Sequence, residues 1–354
     1  MSESPREIIA WRMQGPEQPL VQQQLKAPGL GAGQVLLEVA GCGLCHTDLS
    51  FLYGGVKTKQ APPLTLGHEI SGTVVAAGDG ASSWIGKQVV VPAVLPCGEC
   101  ELCRGGNGTA CRGQIMPGND IDGGFASHVV LPARHLCEVS DLGDFELWEL
   151  GIIADAVTTP YQAMERARVS EGDVVVVIGV GGIGSYGVQI AAARGAQVIA
   201  VDVDAQKLAR IADYGAAATV DASGLDERGV REAVRAAAKK LSLPRHRWRV
   251  FEMSGTAAGQ QAAYSLLTFA GTVAFVGFTM DKVSVRLGNL MAFDATIFGN
   301  WGCLPELYPA ALELVLQKKI AVRDFSKRYP LAEINDVIAA ARRHELTARP
   351  VLTP

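Results

Sequence analysis

Cationic excess is missing from this 354-residue sequence: 32 Lys and Arg stand against 36 Asp and Glu, a net charge of −4. A nucleic-acid surface needs clustered cations to meet phosphate, so that class of partner is not expected. Low-complexity tracts and internal repeats are also absent. With 48% hydrophobic and 19% charged residues the composition is globular rather than disordered. The opening MSESPREIIAW carries acidic residues and no apolar core, so it does not read as a secretory leader. The uncharged stretch 174–193 is broken by Gly179, Gly181, Gly182, Gly184 and Gly187 and passes from β-branched to Ala-rich texture. A strand, a tight turn and a buried helix account for it better than a membrane span does. These absences leave a soluble cytoplasmic chain with no membrane partner, long enough to bury two cores.

The first 150 residues read as β-rich and irregular. Branched or alternating runs at 35–39, 72–76, 88–92 and 127–131 are separated by Gly and Pro clusters. From about residue 156 the texture changes to strands at 174–178, 197–202, 218–220, 248–253 and 272–277 with helical periodicity between them. That alternation predicts an α/β, doubly wound parallel sheet. After about 298 the pattern is mixed again, with helices expected over 305–318 and 332–344. The domain expectation is therefore 1–155 with 298–354 as one unit and 156–297 as a dinucleotide-binding unit.

The run Val174 to Ile178 leads directly into Gly179-Val180-Gly181-Gly182-Ile183-Gly184, and helical spacing follows at once. A GxGxxG alone is weak. Between a strand and a helix, with Asp202 closing the next strand, it becomes a dinucleotide site. Gly179 permits the turn, Gly181 lets the backbone approach a pyrophosphate, and Gly184 lets the helix pack against the sheet. A carboxylate at Asp202 accepts from a ribose diol and repels a 2′-phosphate, and no Arg or Lys occurs at 203–206. NAD is expected over NADP.

Eight cysteines in a chain without an export signal favour metal over disulfides. Cys97, Cys100, Cys103 and Cys111 have the spacing C-x2-C-x2-C-x7-C, which can close a tetrahedron around a structural Zn²⁺ with no open position. An iron–sulfur cluster and a disulfide pair are the competing readings. A second group, Cys45-His46-Thr47-Asp48 followed by Gly67-His68-Glu69, does not define a metal site by itself.

Taken together, these motifs resemble the zinc-containing medium-chain alcohol dehydrogenase family over essentially the whole chain. The resemblance implies a Rossmann-type unit joined to a β-rich GroES-like catalytic unit. It implies one catalytic and one structural Zn²⁺, NAD, and a homotetramer in which the segment 287–298 pairs across subunits. Cys45 and His68 match the family's catalytic zinc ligands, and Thr47 matches the hydroxyl that bonds the substrate alcohol. Asp48 matches the carboxylate that orients the zinc-binding imidazole, and Glu69 the acid that can approach the metal. His46 and Arg349 match groups near the cofactor phosphates, and Lys207 and Val276 join residues 179–184 and Asp202 in the cofactor site. Two positions depart from the pattern. Asp155 stands where the family commonly has its third zinc ligand, a cysteine, which gives a harder donor set. Ser50 stands where many relatives have a relay histidine, and a hydroxyl can pass a proton but cannot hold one near neutrality.

Within the family, residues 65–72, 91–97, 116–119, 123–128 and 298–303 resemble the 6-hydroxycyclohex-1-ene-1-carbonyl-CoA dehydrogenases of anaerobic aromatic degradation. The implied reaction is oxidation of a cyclic secondary alcohol, carried on coenzyme A, to the ketone. Small residues at Ala93 and Val94 leave room for a ring. The basic group Lys239, Lys240, Arg245, His246, Arg247 and Arg249 could meet CoA phosphates or could be a solvated helix end. Two rival classes stay open: a hydratase adding water to the conjugated enone, and a non-catalytic zinc and nucleotide binder.

Overall fold

The computed structural model describes residues 7–354; residues 1–6, part of the segment read as lacking a leader, lie outside them. The chain forms two compact units. One contains residues up to Thr158 with Gly302–Leu316 and Val322–Pro354, and the other contains Thr159–Trp301 with Gln317–Ala321. Residues 317–321 thus leave the unit in which the sequence placed them. The Ala321 N–H donates to Gln189 Oε1 at 2.7 Å, which ties that short segment to the helix Gly184–Ala193.

The second unit is a six-stranded parallel sheet in the order Ala216–Asp221, Gln197–Asp202, Val174–Ile178, Arg249–Glu252, Thr272–Phe275, Thr296–Gly299. This is the doubly wound order, and the order of strands reverses beside Val174–Ile178. All five residues of that strand are buried, which is why it reads as an unbroken apolar run rather than an alternation. Val176, Ile199, Val250, Trp248 and Leu267 belong to its core. The edge strand Thr296–Gly299 has only four residues, too short to stand out in the sequence.

In the other unit, the runs at 35–39, 72–76, 88–92 and 127–131 become the strands Gln34–Gly43, Glu69–Ala77, Gln88–Val90 and His128–Pro132. They belong to a seven-stranded sheet in which Arg349–Thr353 pairs antiparallel with Gln34–Gly43 and parallel with Ser326–Pro330. A separate antiparallel sheet joins Val21–Lys26, Glu7–Met13 and Leu64–Thr65. Val35, Leu37, Ile70, Val89, Leu131 and Leu352 form part of the core between these elements. Of the helix expected over 305–318, Pro305–Leu307 is a 3₁₀ turn and the α-helix is Tyr308–Leu316. Proline is tolerated at a helix start because its missing N–H has no partner there anyway.

The glycine loop leaves the carboxyl end of Val174–Ile178, the edge at which open α/β sheets bind ligands. Gly179 has φ +83, and a Cβ at Gly184 would lie 1.7 Å from the Gly179 carbonyl oxygen. Replacing Gly184 by Ala therefore forces the helix off the turn. The variant Gly184→Ala is expected to lose about 1–3 kcal/mol and to bind NADH measurably more weakly. Thermal unfolding and a fluorescence titration check this, and wild-type values in both would contradict it.

Candidate metal and dinucleotide sites

Four sulfurs converge in the loop 97–111. The Cys97–Cys111, Cys100–Cys103, Cys100–Cys111 and Cys97–Cys103 Sγ distances are 3.5, 3.4, 3.7 and 3.8 Å. A Zn–S bond of about 2.3 Å gives tetrahedral sulfur–sulfur edges of about 3.8 Å, whereas a disulfide needs about 2.05 Å. None of the eight cysteines forms a disulfide. Four sulfurs around one point also exclude a multi-iron cluster, whose thiolates are shared among several metal atoms. The donors fit a single structural zinc.

The second metal group is assembled from three places in the chain: Cys45, His68 with Glu69, and Asp155. Cys45 precedes the helix His46–Tyr53, and its N–H donates to Asp48 Oδ2 at 2.9 Å. A carboxylate at the third helical position commonly reaches back in this way. The other Asp48 oxygen accepts the Gly67 N–H at 3.1 Å and lies 3.6 Å from His68 Nδ1. Gly67 has φ +96 and a Cβ there would meet Cys42 Sγ at 2.7 Å, so only glycine can present His68 this way. With Nδ1 turned to Asp48, Nε2 points at Asp155 Oδ2, 3.6 Å away, and Cys45 Sγ is also 3.6 Å from that oxygen. Tetrahedral zinc with S, N and O donors has edges of about 3.4–3.6 Å. Asp155 therefore stands in a ligand position.

Burial alone would lower the His68 pKa, but the charge of Asp48 and the neighbouring Asp155 and Cys45 hold it well above its ordinary value. Positive charge is wanted where a divalent cation would sit. Thr47 Oγ1 lies 3.6 Å from Cys45 Sγ, beside the group. Glu69, in the same group, is also paired: Arg349 Nε donates to its Oε2 at 2.7 Å and Nη2 to its Oε1. Burial raises the Glu69 carboxyl against the downward pull of Arg349. Arg349, expected at the cofactor phosphates, is thus held in a two-pronged buried pair, because an unpaired carboxylate there would be very costly.

The Ser50 hydroxyl donates to the His46 carbonyl at 2.9 Å, a bond along its own helix. His46 is exposed at the start of that helix.

At the dinucleotide loop, a Cβ at Gly181 would meet nothing within 4 Å, which leaves open space for a pyrophosphate, and Ile183 caps the helix that follows. Gly182 is exposed in the turn. Asp202 accepts the Val180 N–H at 2.7 Å and the Asp204 N–H at 3.0 Å, which fixes its carboxylate beside the loop. Each oxygen keeps a lone pair for a ribose hydroxyl. Val276, just past Thr272–Phe275, donates its N–H to the Glu252 carbonyl at 2.9 Å. Lys207 is turned to Asp204, at 3.6 Å, on its own helix. The basic group at 239–249 lies where the chain enters the amino end of Arg249–Glu252, opposite the glycine loop. Lys239 and Lys240 there end the helix Glu227–Lys240, where cations complement the helix dipole.

Comparison with known proteins agrees with this geometry. Residues 31–141 match the alcohol dehydrogenase GroES-like domain and residues 182–317 match the zinc-binding dehydrogenase model. An alcohol dehydrogenase of Rhizobium meliloti is 32% identical over 313 residues, 86% of each chain. One from Geobacillus stearothermophilus is 29% identical over 335 residues, 93% of this chain and 94% of its own. The crystal structure of the Aeropyrum pernix alcohol dehydrogenase superposes with a TM-score of 0.87 at 29% identity, covering 98% of this chain and 100% of that one.

The metal-free cysteine loop has unequal thiols. N–H groups of Glu99 and Cys100 lower Cys97 to about 6, whereas desolvation and its sulfur neighbours raise Cys103 to about 12. At pH 7 the first is a thiolate and the second a thiol, and the thiolate is the nucleophile. In chelator-stripped protein, alkylation mapped by mass spectrometry should reach Cys97 well before Cys103. Equal rates at pH 7 would contradict the assignment.

Proposed function

The chain belongs to the zinc-binding medium-chain alcohol dehydrogenase family, and from that premise we propose that it oxidises a secondary alcohol to a ketone with NAD⁺ as hydride acceptor. The observation that carries the reading is the convergence of Cys45, His68 and Asp155 at tetrahedral spacing beside the Thr47 hydroxyl. Glu69, paired with Arg349 beside this group, is the acid that could approach the metal, and three protein ligands would leave one position for substrate. When bound, zinc supplies Lewis acidity toward a hydroxyl oxygen and the nicotinamide accepts hydride. The protein's part is positional. Asp48 faces His68 Nδ1 and leaves Nε2 for the metal, and Thr47 Oγ1 is placed to accept a hydrogen bond from the substrate hydroxyl and relay its proton, giving up its own outward through the cofactor ribose. The fixed Asp202 carboxylate supports NAD over NADP, since a 2′-phosphate would meet its charge.

The substrate reading is narrower: a cyclic secondary alcohol on coenzyme A, 6-hydroxycyclohex-1-ene-1-carbonyl-CoA, in anaerobic aromatic degradation. It rests on the likeness of the segments at 65–72, 91–97, 116–119, 123–128 and 298–303, and on the small side chains of Ala93 and Val94. The basic group at 239–249 carries no part of this reading. We also infer a cytoplasmic homotetramer. Thr296–Gly299 has one strand neighbour in its sheet, and Leu287 and Met291 close by are exposed apolar residues, which suits pairing with a second copy. Among the described residues no helix is long and apolar enough to cross a membrane.

Asp155→Ala should lose one of two zinc ions per chain and nearly all turnover, read by metal analysis and NADH formation. Full zinc content with retained activity would end the ligand assignment. Asp202→Ala should raise the KM for NAD⁺ by roughly 10–100-fold, the worth of a charged hydrogen bond, and narrow the preference over NADP⁺. An unchanged ratio of kcat/KM for the two cofactors would reject the ribose contact. NADH formation from the cyclic CoA ester should exceed that from simple secondary alcohols, and equal kcat/KM for both would remove the CoA reading.

A further inference from the structure

Tyr308 opens the helix Tyr308–Leu316 and has no exposed surface. Its hydroxyl works in both senses. It accepts the Ala93 N–H at 3.0 Å and donates to the Ala154 carbonyl. That same carbonyl accepts a second bond, from Thr158 Oγ1 at 3.0 Å. Ala154 is the last residue of the 3₁₀ helix Leu147–Ala154, and the next residue is Asp155, at φ −135 and ψ −53.

The final carbonyls of a helix have no partner within it and are free to tilt unless something outside binds them. Here the carbonyl of the peptide that carries Asp155 is bound twice in a buried setting. Rotating that peptide would break both bonds, and each buried polar group left alone costs about 1–3 kcal/mol. Aspartate has a short side chain, so the placement of its Cα largely determines where its carboxylate can reach. Asp155 Oδ2 must stay near Cys45 Sγ and His68 Nε2, both 3.6 Å away.

We propose that Tyr308 is a positioning residue for the third metal ligand: its hydroxyl, with that of Thr158, locks the Ala154–Asp155 peptide so that the carboxylate faces Cys45 and His68. Ala93 completes the arrangement by donating to the same phenol oxygen, which leaves the Tyr308 proton directed at Ala154. The inference rests on Asp155 being a ligand.

Tyr308→Phe keeps the buried ring and deletes the hydroxyl. Its catalytic-site zinc should bind about 10–100-fold more weakly, the usual effect of removing a partner behind a ligand, while the four-cysteine zinc stays. Chelator competition with metal analysis reads this without turnover. Cobalt placed in the catalytic site should show a shifted ligand-field spectrum. Thr158→Val should weaken the same site in the same direction, and it serves if Tyr308→Phe folds poorly. A purely structural tyrosine would lower Tm and leave zinc affinity and the cobalt spectrum unchanged. Asp155→Ala separates the two levels. If it keeps both zinc ions, the ligand reading falls and this inference falls with it. If it loses one while both hydroxyl variants bind within about twofold of wild type, the positioning role is overturned and the ligand stands.

Discussion

Asp48 has no contact with solvent, and its carboxylate accepts N–H groups from Cys45 and Gly67 while facing His68 Nδ1. A carboxylate removed from water is strongly unfavourable unless its lone pairs are used and its charge is met. Satisfying it draws together two segments that are separate in the sequence, the start of the helix His46–Tyr53 and the turn before Glu69–Ala77. Each carries a metal donor. The geometry of Cys45 and His68 is therefore a by-product of meeting one buried charge. The second buried carboxylate, Glu69, is met by Arg349, and the two acids next to the donors take different work: one orients, the other is neutralised.

Legibility in the sequence followed the range of the interactions. The four-cysteine loop could be read because its tetrahedron closes within one short segment, and the glycine turn because a strand, a tight turn and a helix must follow one another directly. The catalytic group is less local. Cys45, His68 and Asp155 become recognisable together only through likeness to a family, since no spacing rule links residues that meet through sheet pairing. Partners were the least visible. Nothing near Arg349 in sequence announces Glu69, and nothing in the sequence shows that the Ser50 hydroxyl donates to a carbonyl of its own helix. Tyr308 reads as one more apolar-helix residue, and its two hydrogen bonds reach 215 and 154 residues along the chain.

The replacement of a thiolate by Asp155 has a geometric side as well as an electronic one. A carboxylate has two oxygens and can pivot between them, so holding one donor atom in place asks more of the backbone than a single sulfur would. The doubly bonded Ala154 carbonyl answers that demand with groups from three parts of the unit.

The strand Arg349–Thr353 lies against the strand that ends just before Cys45, with Val351 opposite Gly43 and the Leu44 N–H bonded to the Pro350 carbonyl. During synthesis, then, the catalytic unit waits for its last strand. The parallel sheet of residues 159–301 can close while the ribosome is still adding residues beyond it, but Glu69 has no counter-charge until residue 349 emerges. Contacts that span most of the chain form slowly and leave intermediates exposed. A nascent chain of this protein can hold a finished nucleotide-type sheet while the pair between Glu69 and Arg349 is still unmade.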